Sequence, residues 1–170
     1  PSAWGHLVIR VDTTEGTQAN RIRLYWNGEQ LVNTASGSIS QNADLAVNTA
    51  ALHKIGNWRN TTYANLYFAE IHHVDGQSLD PTSFGELDAN TGVWNPIKYS
   101  GSHGTNGFHL DFSDNSSDAA LGTDSSGNNN TWTVNNLSAG ANIANKGFDV
   151  LTYTGTGSSQ TVGGLAFQPD

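Results

Sequence analysis

Residues 4–28 read WGHLVIRVDTTEGTQANRIRLYWNG, and the alternation inside this stretch decides the fold class. Leu7, Ile9 and Val11 alternate with His6, Val8 and Arg10, a period of two that gives an extended chain one apolar face. After the polar connection TTEGTQAN the pattern returns, with Ile22, Leu24 and Trp26 on one face and Arg21, Arg23 and Tyr25 on the other. Asn27-Gly28 follows, a pair that accepts positive φ and suits a tight hairpin turn. Together these residues predict an antiparallel meander.

Outward from this meander, ALHKIG (51–56) and ANLYFAEIHHV (64–74) predict two further strands, the second closed by Asp75-Gly76. In LDPTSFGE (79–86), Asp80 suits an N-cap, Pro81 the first helical position and Gly85 a stop, which predicts one surface helical turn near 80–85. From Leu87 to Gly107 the chain reads as irregular, anchored by Trp94 and Tyr99. GFHLDF (107–112), TWTVNN (131–136), GFDVLTYTG (147–155) and SQTVGGLAF (159–167) read as short strands between turn residues. No segment carries a helical period of useful length. The expectation is an all-β, antiparallel β-sandwich.

Composition narrows the function classes. A chain of 170 residues is the size of one domain, with 19 Gly, 4 Pro and only 13% charged residues, a balance that suits short strands and turns. There is no Cys, which excludes disulfides, zinc ribbons and thiolate nucleophiles. There is also no Met, which suggests a fragment or a processed chain. The net charge of −8 rests on seven scattered basic residues, whereas nucleic-acid binding needs clustered Lys and Arg to displace counterions. The longest apolar runs fall far short of a membrane span. Neither nucleic acid nor membrane insertion is expected.

The succession AWGHLVIRVDTT, RIRLYWNGEQL, LHKIGN and YANLYFAEIHHVDGQSLDPTSFGE resembles the later strands of laminin-G-like, concanavalin-A-like jelly-roll domains. The stretch from FGELDANTGVWNPIKYSGSHGTNGFHLDFSDNS to GLAFQPD is similar to virion proteins of marine bacteriophages. The resemblance implies a jelly roll whose C-terminal strands occupy 1–86, an irregular connector over 87–106, and a β segment over 107–170. That last segment either completes the first sandwich or opens a second module. The resemblance further implies a non-enzymatic virion component of tail, fibre or capsid surface, outside the cell, in a multi-copy homo-oligomer with other virion proteins. Attachment to a host cell-surface glycan is compatible with it.

Three chemistries compete for GFHLDFSDNSSDAALGTDSSGNNNTW (107–132). The plainest reading is a strand followed by solvated turns, whose Asp, Ser and Asn side chains bond their own backbone. The second is calcium, which takes six to eight oxygen ligands that Asp111, Asp114, Asp118, Asp124 and Asn128 could help supply. No EF-hand spacing is present, but laminin-G-like domains often hold calcium at the rim. The third is a catalytic carboxylate pair, for which Glu86 and Asp88 in GELDAN are the nearest match, without a second Glu. No catalytic residue is therefore assigned, no cofactor is required, and calcium is the one ion this stretch could take.

Two further patterns remain. EIHHVD invites a metal reading from His72, His73 and Asp75, but adjacent strand residues point to opposite faces, so His72 and His73 do not readily share an ion; Glu70 and His72 share a face and could pair, as surface pairs commonly do. For sugar stacking, GNWRNTTY offers Trp58, Arg59, Asn60 and Tyr63, and GVWNP offers Trp94. The competing reading is that these aromatics plug the ends of the sandwich. A calcium-assisted carbohydrate-binding module is the alternative function, and a glycosidase fragment the least favoured.

Overall fold

A computed structural model describes residues 4–32, 39–49, 51–58 and 61–139, with the side chain of Trp58 left out. Nine short strands and three single turns of 3-10 helix make up its regular structure, and every strand pairing is antiparallel. The fold is β-rich, as the period-two patterns require. The strands form one three-stranded sheet and three two-stranded ones.

The larger sheet is the predicted meander. Strand β1 (Leu7–Val11) pairs with β2 (Ile22–Trp26), which pairs with the short β3 (Glu29–Gln30). Asn27 and Gly28 turn the chain between β2 and β3 with φ of 49° and 84°, the left-handed pair that matches strand twist. Register sets Leu7 opposite Trp26, Ile9 opposite Leu24 and Val11 opposite Ile22, so the apolar side chains collect on one side. That side is open: Leu7 is 50% exposed, Ile9 60% and Trp26 48%. The opposite face is the covered one, with Tyr25 buried and Val8, Arg10 and Arg23 half-buried.

Polar side chains tie this sheet to its surroundings. Buried Arg21 donates to the carbonyls of Glu15, Gly16 and Ile39, holding the β1–β2 connection against the 39–43 segment. Arg10 donates to Ser78 Oγ and to Asp80 Oδ1. Asp80 therefore does not act as the expected N-cap: its carboxylate goes to Arg10, and no side-chain cap bond forms. The helical turn itself is present at Pro81–Ser83.

Several segments depart from expectation. ALHKIG forms no strand; His53 bonds the carbonyls of Ala46 and Ala51 instead, folding the chain locally. Pairing begins later, between β4 (Asn57–Trp58) and β5 (Thr62–Tyr63). The long strand expected over 64–74 shrinks to β6 (Ile71–His73), because Glu70 sits at φ 51° and breaks the extended run. Gly85 does not end a helix but opens β7 (Gly85–Leu87), where the Trp94 ring lies in the space a Cβ would need. Trp94–Pro96 forms β8, paired with β7, inside the stretch read as irregular. TWTVNN is not a strand over its described residues. The segments 147–155 and 159–167 lie outside the described residues.

The anchoring roles of Trp94 and Tyr99 are visible. Trp94 Nε1 donates to His6 Nδ1 at 2.9 Å while the two rings stack. Tyr99 packs against Phe84 and donates its hydroxyl to the Ser102 carbonyl.

Strand β9 (Phe108–Leu110) reaches back to pair with β6, aligning Ile71 with Leu110, His72 with His109 and His73 with Phe108. The junction is held largely by side chains. Buried Asp124 accepts from the backbone N–H of His109, Ser126 and Asn130 and from Ser126 Oγ. Asn128 and Asn130 both donate to the Gly107 carbonyl, and Asp75 accepts from Asn48 and Asn106. Leu110 is the one buried apolar residue here.

Two expectations follow. Asp124→Ala strands several part-buried N–H donors and should lower stability by about 3 kcal/mol, with Asp124→Asn losing less, read as urea unfolding midpoints by circular dichroism. An alanine variant as stable as the parent removes Asp124 from this role. Acid should also destabilise the chain. Thr14 donors hold Asp12 below the usual carboxylate value, backbone N–H groups of Thr91 and Asn90 do the same for Asp88, and Ser116 for Asp114. Groups depressed on folding stabilise above their unfolded pKa and lose that contribution as the pH falls through the folded one. Burial also lowers His6, which must charge on unfolding below its ordinary 6.5. The urea midpoint should therefore fall as the pH drops from about 7 to about 3, in both the imidazole and the carboxylate ranges; a flat profile would contradict these assignments.

Candidate metal centre

The β6–β9 register brings together side chains that are far apart in the chain. His72 and His109 are cross-strand partners on the same sheet face. Their rings stack with centroids 4.0 Å apart and planes inclined by 16°. Glu70, one residue before β6, turns its carboxylate onto the same spot. Its Oε2 lies 2.8 Å from His109 Nε2 and 3.7 Å from His72 Nε2. One donor atom from each of the three residues falls within 4.8 Å of the others, and among the described residues no other such group of three occurs.

A third imidazole completes the cluster. His103 Nε2 lies 3.1 Å from His72 Nδ1, and the rings of His103 and His109 are nearly parallel, 7° apart. Phe84 and Tyr99 close over the other sides of His72. This enclosure removes water, so burial lowers the His72 pKa to about 4, helped by the neighbouring His109 and His103. Burial lowers His103 in the same direction. His72 is therefore a neutral imidazole at pH 7, and in the pair with His103 only one of the facing nitrogens carries a proton.

Glu70 is held in an unusual backbone conformation. Its φ of 51° is left-handed, a region where a residue with a long side chain is disfavoured by roughly 1–2 kcal/mol. Phe112 does the same just beyond β9, at φ 54°. Both strands of the junction thus leave their pairing through a left-handed residue, and at Glu70 that turn aims the carboxylate at His109.

The sequence-level candidates are placed differently. Asp111 accepts from Ser113 N and Oγ, Asp114 from Ser116 N, and Asp118 from Ala139 N. Asp124 is bonded to the β9 junction, and Asn128 donates to the carbonyls of Gly104 and Gly107. The four carboxylates are not drawn to a common point: no three of them come within 4.8 Å. Asp88 accepts from the N–H groups of Asn90 and Thr91 and shapes the β7–β8 turn, while Glu86 faces solvent on β7. His73 points away from the cluster, stacked on Phe108 and bonded to Asn48.

Of the aromatic candidates, Tyr63 is an exposed residue of β5, and Arg59 and Asn60 lie outside the described residues with the Trp58 side chain. Trp94 belongs to another sheet, where with Trp4, Trp26, Asn27, Glu29 and Leu87 it lines a groove of about 470 Å³. Sequence reading paired Glu70 with His72 but missed His109 and His103. His109 was legible only as an alternating residue of FHLDF, and its partner depends on register, which the sequence does not state. No protein-family model matches this chain, and neither a curated protein nor a solved structure matches it.

Proposed function

We propose that the chain is a non-enzymatic structural module of a bacteriophage virion, a tail, fibre or capsid-surface component that works by assembly. The observation that carries this reading is the open apolar face of the β1–β2 sheet, on which Leu7, Ile9, Val11 and Trp26 are all exposed. Among the described residues the buried apolar side chains are Tyr25, Leu110 and Pro81. A sheet with one apolar side is ordinarily covered by a second layer. In this reading the layer is that of a jelly-roll sandwich, and neighbouring copies in a multi-copy assembly supply it. The resemblance to laminin-G-like phage virion proteins points the same way. Of the two carboxylates nearest a glycosidase pair, Asp88 is engaged in its own turn.

Each large aliphatic residue covered on this face contributes about 2 kcal/mol. The chain should therefore associate in a concentration-dependent way, and Ile9→Lys should weaken association by at least about tenfold while the circular dichroism spectrum is kept. Sedimentation equilibrium decides it. A wild-type chain that stays monomeric and unfolds cooperatively overturns this reading.

A second reading, attachment to host glycans, is favoured by the groove between Trp4, Trp26 and Trp94. Sugars stack on aromatic faces, and Asn27 and Glu29 stand in the same groove to take hydroxyl groups. Trp4, 71% exposed, can be removed with little effect on folding. Binding to host envelope polysaccharide should fall at least about tenfold in Trp4→Ala if the groove is the site. Repeating the assay with calcium and after chelation separates a calcium-assisted mode from a purely aromatic one. Unchanged binding in the variant excludes the groove.

A further inference from the structure

We propose that Glu70, His72 and His109 form a binding site for a first-row divalent transition-metal ion of the zinc type, with His103 as the residue that positions His72. The ion would join β6 to β9. This site is independent of the open β1–β2 face and of the aromatic groove, neither of which contains these residues.

The donor set chooses the metal class. Two imidazole nitrogens and one carboxylate oxygen suit zinc and its neighbours, whereas calcium and magnesium require oxygen ligands almost throughout. The spacing agrees. A tetrahedral ion at about 2.0–2.1 Å from each donor sets those donors about 3.3–3.4 Å apart. The separations of 2.8 and 3.7 Å from Glu70 Oε2 to His109 and His72 bracket that value. The third separation, between the two imidazole nitrogens, is within 4.8 Å, and both side chains project from paired positions of one sheet face.

The surroundings are those of a ligand set. A metal-bound imidazole usually passes its other N–H to a fixed acceptor, which sets the tautomer. His103 Nε2 lies 3.1 Å from His72 Nδ1, and in the tautomer in which His72 Nδ1 donates to it, His72 Nε2 is free to ligate. Three imidazoles lie stacked together and half-buried here. Aliphatic side chains would fill the same space without polar nitrogens to satisfy. The left-handed backbone at Glu70 is a local strain that glycine would relieve, yet the position carries a carboxylate.

The test uses the tag-free full chain, stripped with a chelator, in calorimetric titrations and thermal melts with Zn²⁺, Ca²⁺ and Mg²⁺. One Zn²⁺ should bind per chain and raise the melting temperature, while Ca²⁺ and Mg²⁺ should not compete for it. His109→Ala should abolish this binding, and His103→Ala should weaken it by about 10–100-fold as the loss of an orienting partner. Glu70→Gln is the deciding variant, because Glu70 is exposed and its replacement keeps the backbone and size. It should weaken Zn²⁺ at least about tenfold and change the visible absorption spectrum of the Co²⁺-substituted chain. His53→Ala, at a histidine outside the cluster, should bind as the parent does. Absence of Zn²⁺ binding by the folded parent, or equal binding by the parent and Glu70→Gln with the same Co²⁺ spectrum, overturns the proposal.

Discussion

The antiparallel pairing of β6 with β9 is the constraint on which the centre of this molecule depends. It joins residues such as Glu70 and His109 that are 39 positions apart in the chain. Closing a loop of that length costs about 3 kcal/mol in chain entropy before any contact is made. A ladder of three residue pairs, with Leu110 as its buried apolar member, offers little to offset that cost. The remainder comes from side chains that grip backbone. Asp124 collects N–H groups from β9 and from its own loop, Asn128 and Asn130 converge on the Gly107 carbonyl, and Asp75 holds Asn48 and Asn106.

That substitution of polar staples for a core runs through the whole described chain. Arg21 gathers three carbonyls around the β1–β2 connection, and Arg10 holds the 78–80 segment to β1. Such bonds are directional, so they specify one arrangement of the loops more sharply than apolar contact would. Their net contribution per bond is small, because each replaces a bond to water. The β1–β2 sheet shows the complement of this economy: its polar side is packed within the chain, and its apolar side is left open. Leu7, Ile9, Val11 and Trp26 on that side are left exposed, and in the reading proposed above association covers them.

The difference between what was legible in the sequence and what was not follows the range of the interactions. Strands β1 and β2 and the Asn27-Gly28 turn are written locally, in a two-residue period and in residues that accept positive φ. The helical turn at Pro81–Ser83 is equally local. ALHKIG failed because a carbonyl within reach of His53 competes with extension, and 64–70 failed because a single left-handed residue at Glu70 ends the strand. The candidate site failed for a third reason. Glu70 and His72 declare a shared face by their spacing, but His109 joins them only through the register of a long-range pairing, and His103 sits in GSHGTNG with no periodicity at all.

The position of the histidine cluster acquires its meaning from this weakness. The three proposed ligands bridge both strands of the junction, Glu70 and His72 from the β6 side and His109 from β9. An ion held there would act on the same loop closure that Asp124 secures at the His109 backbone and the Asn side chains at the Gly107 carbonyl. Anything that binds the native pairing and not the open chain stabilises it in proportion to the logarithm of its concentration over its dissociation constant. A metal is well suited to this, because it needs few residues, acts across strands without requiring a core, and tolerates the exposure that Glu70 retains. The left-handed turn at Glu70 then has a physical rationale. It shortens β6 and in return places a carboxylate where two stacked imidazoles already face one another.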